Sequence, residues 1–296
     1  MTTVTGTIVA RYKRHCLVAD ESGTRVTCQI QRRSLHPVVG DRVLWQPVTE
    51  DAGIVTELLP REAQLTRIDS RGRPEIVAAN LTQLVIVLAA KPNPDWFLID
   101  RYLAAAELNR LRALLVLNKI DRAALDASEL TVYTSLGYTI CRTSALRARG
   151  LEDLAAQMRD ERSAMIGQSG VGKSSLLNAL AGDALQAVGA LSQKGEHGRH
   201  TTSTAALYTL PGGGELIDSP GVRDFAPYIA DPREAASGFR EFRDLRSQCR
   251  FQDCRHLAEP DCAIKSAVAD GRISERRYTS YAELYRLTEA LQAKQY

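Results

Sequence analysis

Eight residues, Gly167-Gln168-Ser169-Gly170-Val171-Gly172-Lys173-Ser174, carry the most explicit chemistry in the chain. Their spacing, G-x-x-x-x-G-K-S, is that of a loop that cradles the phosphates of a nucleoside triphosphate. The glycines let successive backbone N–H groups turn inward around the β- and γ-phosphates. Lys173 supplies a point charge, the Ser174 hydroxyl a ligand for Mg²⁺, and Ser175 a further backbone N–H. A second group stands at Asn118-Lys119-Ile120-Asp121. The Asp121 carboxylate can accept two hydrogen bonds from guanine, at its ring N–H and its exocyclic amino group. Adenine has neither donor on that edge, so ATP would leave the carboxylate unpaired. Asn118 would hold the loop and the base edge, and the Lys119 stem would cover the ring. Further on, Ser144-Ala145 fits a loop whose backbone meets the guanine carbonyl oxygen. Alone, N-K-x-D and Ser-Ala are weak signals, because Asn, Asp and Ser often close strands; beside the phosphate loop they become strong.

Three more groups complete the inventory. Asp218-Ser219-Pro220-Gly221 is a D-x-x-G at a strand end, which places Asp218 beside the metal through a water and lets the Gly221 N–H meet the γ-phosphate. Hydrolysis also needs a group that orients water, and Val222, just after this motif, cannot do so. The stretch 189–203 (GALSQKGEHGRHTTS) is polar, glycine-rich and aperiodic, and reads as a long loop. Within it Thr201 or Thr202 could offer a hydroxyl to Mg²⁺. His200, beside them, is the best candidate to orient water, ahead of His197; the alternative is an ordinary exposed loop histidine. Finally, Cys249, Cys254, His256 and Cys262 follow C-x4-C-x-H-x5-C. Three thiolates and an imidazole are the ligands of a closed, tetrahedral, structural Zn²⁺ site.

The elements that must position these groups fall into three stretches. From 1 to 62 the pattern is short β-runs between turns: Thr5–Ala10, His15–Ala19, Arg25–Ile30, Val43–Trp45 and Ile54–Thr56. Five strands in so short a stretch predict a small closed barrel of the oligonucleotide-binding (OB) type. Arg11, Lys13, Arg14, Arg32 and Arg33 lie on or near its loops and suit RNA, although acidic neighbours leave a merely solvated surface equally open. Cys16 and Cys28 fall in strand patterns and read as buried thiols. Pro60 to Pro74 is charged and irregular and reads as a linker.

From 66 to 229 strands and helices alternate, as in an α/β fold. Leu84–Leu88 and Ala113–Leu117 are uninterrupted apolar runs, expected of parallel strands buried on both faces. Asn118 follows the second directly, at the carboxyl end where open α/β sheets bind ligands. Ser163–Ile166, the phosphate loop and the apolar stripe of Ser174–Leu180 give the strand–loop–helix order that puts a helix N-terminus at the phosphates. Base-reading groups here precede the phosphate loop, the reverse of the usual order, so the sheet is circularly permuted. From 232 to 296 the chain is expected to be helical around the zinc ligands, with helices over 232–245, 263–269 and 274–293. Arg240, Arg243, Arg246, Arg250, Arg255, Arg272, Arg276 and Arg277 make this end arginine-rich, which suits phosphate backbones, although acidic neighbours again leave a solvated surface open.

Composition agrees with a globular, multidomain protein: 296 residues, 44% hydrophobic, 25% charged and a net charge of +3. The mild basicity permits a nucleic-acid partner without demanding one. The N-terminus lacks a signal-peptide pattern and no apolar run could span a bilayer, so a cytoplasmic protein without a membrane partner is expected.

Taken together, N-K-I-D at 118–121 ahead of G-Q-S-G-V-G-K-S at 167–174, G-R-H-T-T at 198–202, D-S-P-G at 218–221 and the Cys/Cys/His/Cys cluster resemble the RsgA (YjeQ) family of bacterial, circularly permuted GTPases. The resemblance covers nearly the whole length. It implies GTP hydrolysis to GDP and phosphate, stimulated by the small (30S) ribosomal subunit during its late maturation. It further implies contacts with 16S rRNA through the outer domains, one structural Zn²⁺, Mg²⁺ with GTP, a monomer, and a role for His200 in hydrolysis. Ser203 stands where the family more often has Thr, which blurs the choice of Mg²⁺ hydroxyl, and Asp261 stands where Gly is common.

Overall fold

The computed structural model describes residues 3–12, 14–31, 34–69, 71–182, 205–223, 228–229 and 231–293. Five strands, β1 (Val4–Arg11), β2 (His15–Ala19), β3 (Arg25–Ile30), β4 (Arg42–Pro47) and β5 (Ala52–Leu58), run in the order β1-β2-β3-β5-β4, and β1 pairs back onto β4. The ring is the expected closed barrel. Alternation sends Ile8, Cys16, Val18, Val26, Cys28, Val43, Trp45 and Val55 inward to form its core. Burial pushes the Cys16 thiol up to about 12 and the Cys28 thiol up to about 11, so both are unreactive packing groups.

The stretch expected to be a linker is not one. It holds β6 (Gln64–Ile68), which pairs with β7 (Pro74–Ala79) as a separate two-stranded hairpin. Its turn is built on Asp69, whose carboxylate accepts from the backbone N–H of Arg71 and of Arg73, each at 2.8 Å.

The remaining strands are β8 (Gln83–Ala89), β9 (Arg112–Asn118), β10 (Thr139–Arg142), β11 (Arg162–Gly167), β12 (Ala205–Thr209) and β13 (Glu215–Asp218). They lie in the order β10-β9-β8-β11-β13-β12, parallel except for β12. The apolar runs are buried on both faces, as their composition requires. Leu84, Ile86 and Leu88 of β8 meet α1 (Trp96–Leu108) and α2 (Ala127–Ser135), while Val85 and Val87 meet α3 (Leu151–Met158) and α4 (Lys173–Ala181). Each such side chain contributes about 1.5–3 kcal/mol through burial.

Barrel and sheet are continuous. β1 pairs antiparallel with β12, Ala10 opposite Ala206 and Arg11 opposite Ala205, so all eleven strands share one sheet. A second seam runs through Gly40, whose carbonyl accepts from Asn80 Nδ2 at 2.9 Å and from Arg162 Nη1 at 3.1 Å. At φ 92°, with Ala79 O only 2.1 Å from where a Cβ would stand, position 40 admits nothing but glycine. Buried Asp41 braces this corner, accepting from Arg61 Nε at 2.6 Å and from the Val38 N–H at 2.7 Å.

Beyond residue 230 the single helix expected over 232–245 is replaced by 3₁₀ turns, Pro232–Gly238 and Arg240–Phe242, separated by extended Phe239. Gly238 is pressed onto Ala104 of α1, with Ala104 Cβ 2.7 Å from where its own Cβ would be. The break lets both Phe239 and Phe242 turn into the core with Tyr281. Two helices follow as expected, α5 (Ala263–Ala269) and α6 (Glu275–Ala293).

Four of the arginines assigned to phosphate backbones instead hold this module to the α/β sheet. Arg277 is fully buried, its Nη1 2.7 Å from Asp100 of α1 and its fork on Glu241 at 2.7 and 3.0 Å. Tyr133 of α2 donates to the same Asp100 oxygen at 2.8 Å. Burial alone would lower the Arg277 pKa, but Asp100 and Glu241 outweigh it and raise it. Arg240 and Arg243 both reach Glu107, at 2.7 and 3.2 Å, and Arg276 lies over the Trp96 ring and 3.5 Å from Glu129. Removing the central cation strands two buried carboxylates. Arg277→Ala should therefore cost about 3–5 kcal/mol, read as a lower urea midpoint for the loss of helical signal.

Candidate nucleotide and metal sites

The phosphate loop leaves β11 at Gly167 and enters α4 at Lys173. Its three glycines have positive φ: 144° at Gly167, 81° at Gly170 and 99° at Gly172. At two of them side chains are also excluded by space. A Cβ on Gly167 would lie 2.1 Å from Val87 O, and one on Gly172 would lie 2.5 Å from Asn118 Nδ2. The loop thus presses its backbone against the ends of β8 and β9, and Gly172 forms the N-cap of α4 in a left-handed conformation. Ser174 and Ser175, at the first turn of that helix, are exposed. Lys173 Nζ donates to Gly167 O at 2.6 Å and to Gln168 O at 3.0 Å.

Asn118 joins this loop to the base-reading loops. Only 2% exposed, it donates through Nδ2 to Val171 O at 3.0 Å. Its Oδ1 accepts from the Ala145 N–H at 3.2 Å and from Thr143 Oγ1 at 3.3 Å. The next residue, Lys119, has φ 62°, which turns its side chain back across the loop so that Nζ donates to Gly170 O. Asp121 is exposed at the rim, and the buried Ser144 hydroxyl donates to its Oδ1. That hydrogen bond, more than any charge nearby, holds the Asp121 carboxyl below the usual carboxylate range. It is therefore an ionised acceptor at neutral and mildly acid pH.

Asp218 ends β13 beside β11. It lines a small cleft with Lys173 and Ser174, floored by Met165, Leu177 and Ile217. A hydroxyl and a carboxylate beside the phosphate loop are hard oxygen donors, which fits Mg²⁺. Gly221 lies in the helical turn Pro220–Arg223, and Val222 beneath it is buried. Asn118, Lys119, Asp121, Ser144, Ala145, the 167–175 loop, Asp218 and Gly221 therefore gather along the carboxyl ends of β9, β10, β11 and β13. His197, His200, Thr201 and Thr202 lie outside the described residues, as do Lys13, Arg32 and Arg33. Thr143 and Gly150 were not singled out from sequence. Gly150, at φ 65° and hard against Arg142 O, closes the Ser144 loop, and its signal was a glycine at the start of a helix.

The second site draws together Cys249, Cys254, His256 and Cys262, whose ligand atoms all lie within 4.8 Å of one another. His256 Nδ1 is 3.5 Å from Cys249 Sγ and 3.5 Å from Cys262 Sγ, and those two sulfurs are 3.9 Å apart. A tetrahedral Zn²⁺ with ordinary bond lengths sets N···S near ~3.6 Å and S···S near ~3.8 Å. Cys249, His256 and Cys262 stand at those separations, and Cys254 completes the four within 4.8 Å. Burial lowers the His256 pKa and keeps the imidazole in the neutral form that ligates. The loop around the ligands is held by its own neighbours. Glu259 accepts from the N–H of Arg255, Leu257 and Ala258 at 3.0–3.1 Å, and Tyr278 donates to His256 O at 2.8 Å.

The family model for the RsgA GTPase matches residues 58–227, more than half of the chain. This chain belongs to the RsgA GTPase family. It is 44% identical over 289 residues to the small ribosomal subunit biogenesis GTPase RsgA of Azotobacter vinelandii, covering 94% of this chain and 84% of that one. It is 42% identical to RsgA of Pseudomonas fluorescens strain SBW25, with 95% and 84% covered. Among solved structures it resembles YjeQ from Thermotoga maritima, at TM-score 0.78 and 33% identity, over 97% of this chain and 99% of that one. It also resembles YloQ, a circularly permuted GTPase, at TM-score 0.76 and 26% identity, over 98% and 96%. The RsgA permutation is visible in the strand order: β9 and β10, which carry the base-reading loops, precede β11 in the chain yet flank β8 on its far side. Purified protein should carry one zinc per chain by elemental analysis. Cys262→Ser should lose it and lower the melting temperature, because metal-binding energy here is folding energy.

Proposed function

We propose that the chain is a GTP hydrolase that acts in the biogenesis of the small ribosomal subunit, the role named for its curated relatives. The observation that carries the reading is the buried Asn118, which ties the N-K-x-D and Ser-Ala loops to the phosphate loop as one guanine-nucleotide site. Asp121 reads guanine and, being exposed, is covered by the base itself. The 167–175 loop holds the phosphates. Ser174, Asp218 and one of Thr201 and Thr202 organise Mg²⁺, which supplies charge neutralisation at the β- and γ-phosphate oxygens when bound. Gly221 faces the γ-phosphate and His200 orients water. The protein works in the cytoplasm as a monomer, in three domains of residues 1–62, 66–229 and 232–296. It grips the 16S rRNA of the subunit through the barrel and the zinc module. Arg250, Arg255 and Arg272, with 56–63% of their side chains exposed, remain available for that grip although each has an acidic neighbour.

GTP turnover under multiple-turnover conditions, with and without purified small subunits, tests substrate, partner and activity together. Strong stimulation by the small subunit, with ATP inert and large subunits without effect, is the expected result. Tight GTP binding without turnover under any condition would make the protein a GTP-gated RNA-binding module, a reading favoured by the buried Val222 that follows Gly221. His200→Ala should reduce stimulated turnover by about a hundredfold while sparing GTP affinity, because water orientation is felt only at the transition state. Unchanged turnover would remove His200 from the mechanism.

A further inference from the structure

The hairpin β6–β7 has two different faces, and one of them backs the D-S-P-G turn. A Cβ on Gly221 would stand 2.8 Å from Val77 Cγ1 and 3.4 Å from Arg67 Cζ, so Gly221 lies flat against these two side chains. The Arg67 Nε and Nη2 both sit 2.9 Å from Glu75 Oε2, directly across the hairpin. On the opposite face Gln64, Thr66, Pro74 and Ile76 border a cleft of about 450 Å³ against the end of α1 and Tyr228. The hairpin is therefore packed on the Gly221 side and open on the other. It belongs to no larger sheet, but Leu65, Val77 and Ala78 anchor it in the main core. The Tyr228 N–H also donates to Thr66 O at 3.1 Å, and the Ala79 N–H to Val39 O of the barrel at 3.0 Å. Of the two side chains that touch Gly221, Val77 belongs to that core and Arg67 is the polar one.

We propose that Arg67 is a positioning residue for GTP hydrolysis: its guanidinium, pinned by Glu75, backs Gly221 and keeps the Gly221 N–H facing the γ-phosphate. The inference rests on the assignment of Gly221 to the γ-phosphate made above. The geometry explains why glycine stands at 221, since any side chain would force the hairpin and the turn apart. It also gives the turn a support that Val222 cannot provide, because Val222 is buried below it and has no polar atom to offer the nucleotide. Arg67 acts through the backbone of Gly221, and its contribution is felt where that N–H is needed most, as charge builds on the phosphoryl oxygens. GDP has no γ-phosphate for Gly221 to meet, so its binding is indifferent to Arg67.

The test compares wild-type full-length protein with Arg67→Ala, Arg67→Lys and Glu75→Gln in subunit-stimulated GTP turnover, alongside GDP affinity and melting temperature. For Arg67→Ala, kcat should fall about tenfold to a hundredfold with KM for GTP and Kd for GDP within about twofold, the mark of misplacement and not of lost binding. Arg67→Lys keeps the cation but loses the fork on Glu75, and should fall between wild type and Arg67→Ala. Glu75→Gln should lower kcat in the same direction. Wild-type kcat in Arg67→Ala overturns the proposal, as does a rise in KM alone or a parallel loss of kcat, GDP affinity and melting temperature. A wild-type protein that binds GTP but never turns it over overturns the hydrolase reading itself, and this proposal with it.

Discussion

The structure depends on one buried amide. Asn118 ends a strand that is apolar from Ala113 to Leu117, and its side chain is only 2% exposed. Its Nδ2 and Oδ1 must find protein partners or cost about 1–3 kcal/mol each. They find them on two loops remote in sequence, the phosphate loop at Val171 and the Ser144 loop at Ala145 and Thr143. The same amide sits where a Cβ on Gly172 would be, which explains why the second glycine of the motif is needed even without a nucleotide in view. A base reader and a phosphate cradle thus become one rigid object, and the distance between them is set by a hydrogen bond 3.0 Å long.

Around that object the rest of the chain is a set of braces. Helix α1 begins at Asp95, whose carboxylate caps the Leu98 N–H and whose own N–H reaches Gln168 of the phosphate loop at 3.4 Å. Five residues on, Asp100 takes the buried Arg277 of the zinc module. One helix therefore touches the nucleotide loop at its start and the C-terminal module along its body. The barrel is joined by backbone pairing at β12 and by the Gly40 corner. Neither outer part hangs on a free linker among the described residues.

What the sequence disclosed, and what it hid, follows from the kind of interaction involved. The phosphate loop, N-K-x-D and the cysteine cluster were legible because backbone cradles and metal shells fix both residue type and spacing within a few residues. Barrel strands and apolar β8 and β9 were legible through their period. The hairpin was not. Its register shifts between Leu65 and Thr66, which breaks the alternation, and among β6 residues only Leu65 is fully buried under a run of charge. Phe239 and Phe242, three apart, imitate a helix face, and only the contact of Gly238 with Ala104 reveals the break. The arginines misled for a related reason. The partners of Arg240 and Arg277 are 133 and 177 residues away, so a clamp reads as a free cationic surface until the fold is known.

The pairing of β1 with β12 has a consequence for how the molecule is made. Its two strands lie roughly two hundred residues apart, among the most distant partners in the sheet. A growing chain can complete the barrel core and lay down β8, β9 and β11 long before β12 leaves the ribosome. Until then β1 carries an open edge at Ala10 and Arg11. Contacts of this separation form late because loop closure must be met before they stabilise anything. The seam between barrel and nucleotide domain is thus also a clock, and the two parts can join only after β12, at Ala205–Thr209, has been synthesised.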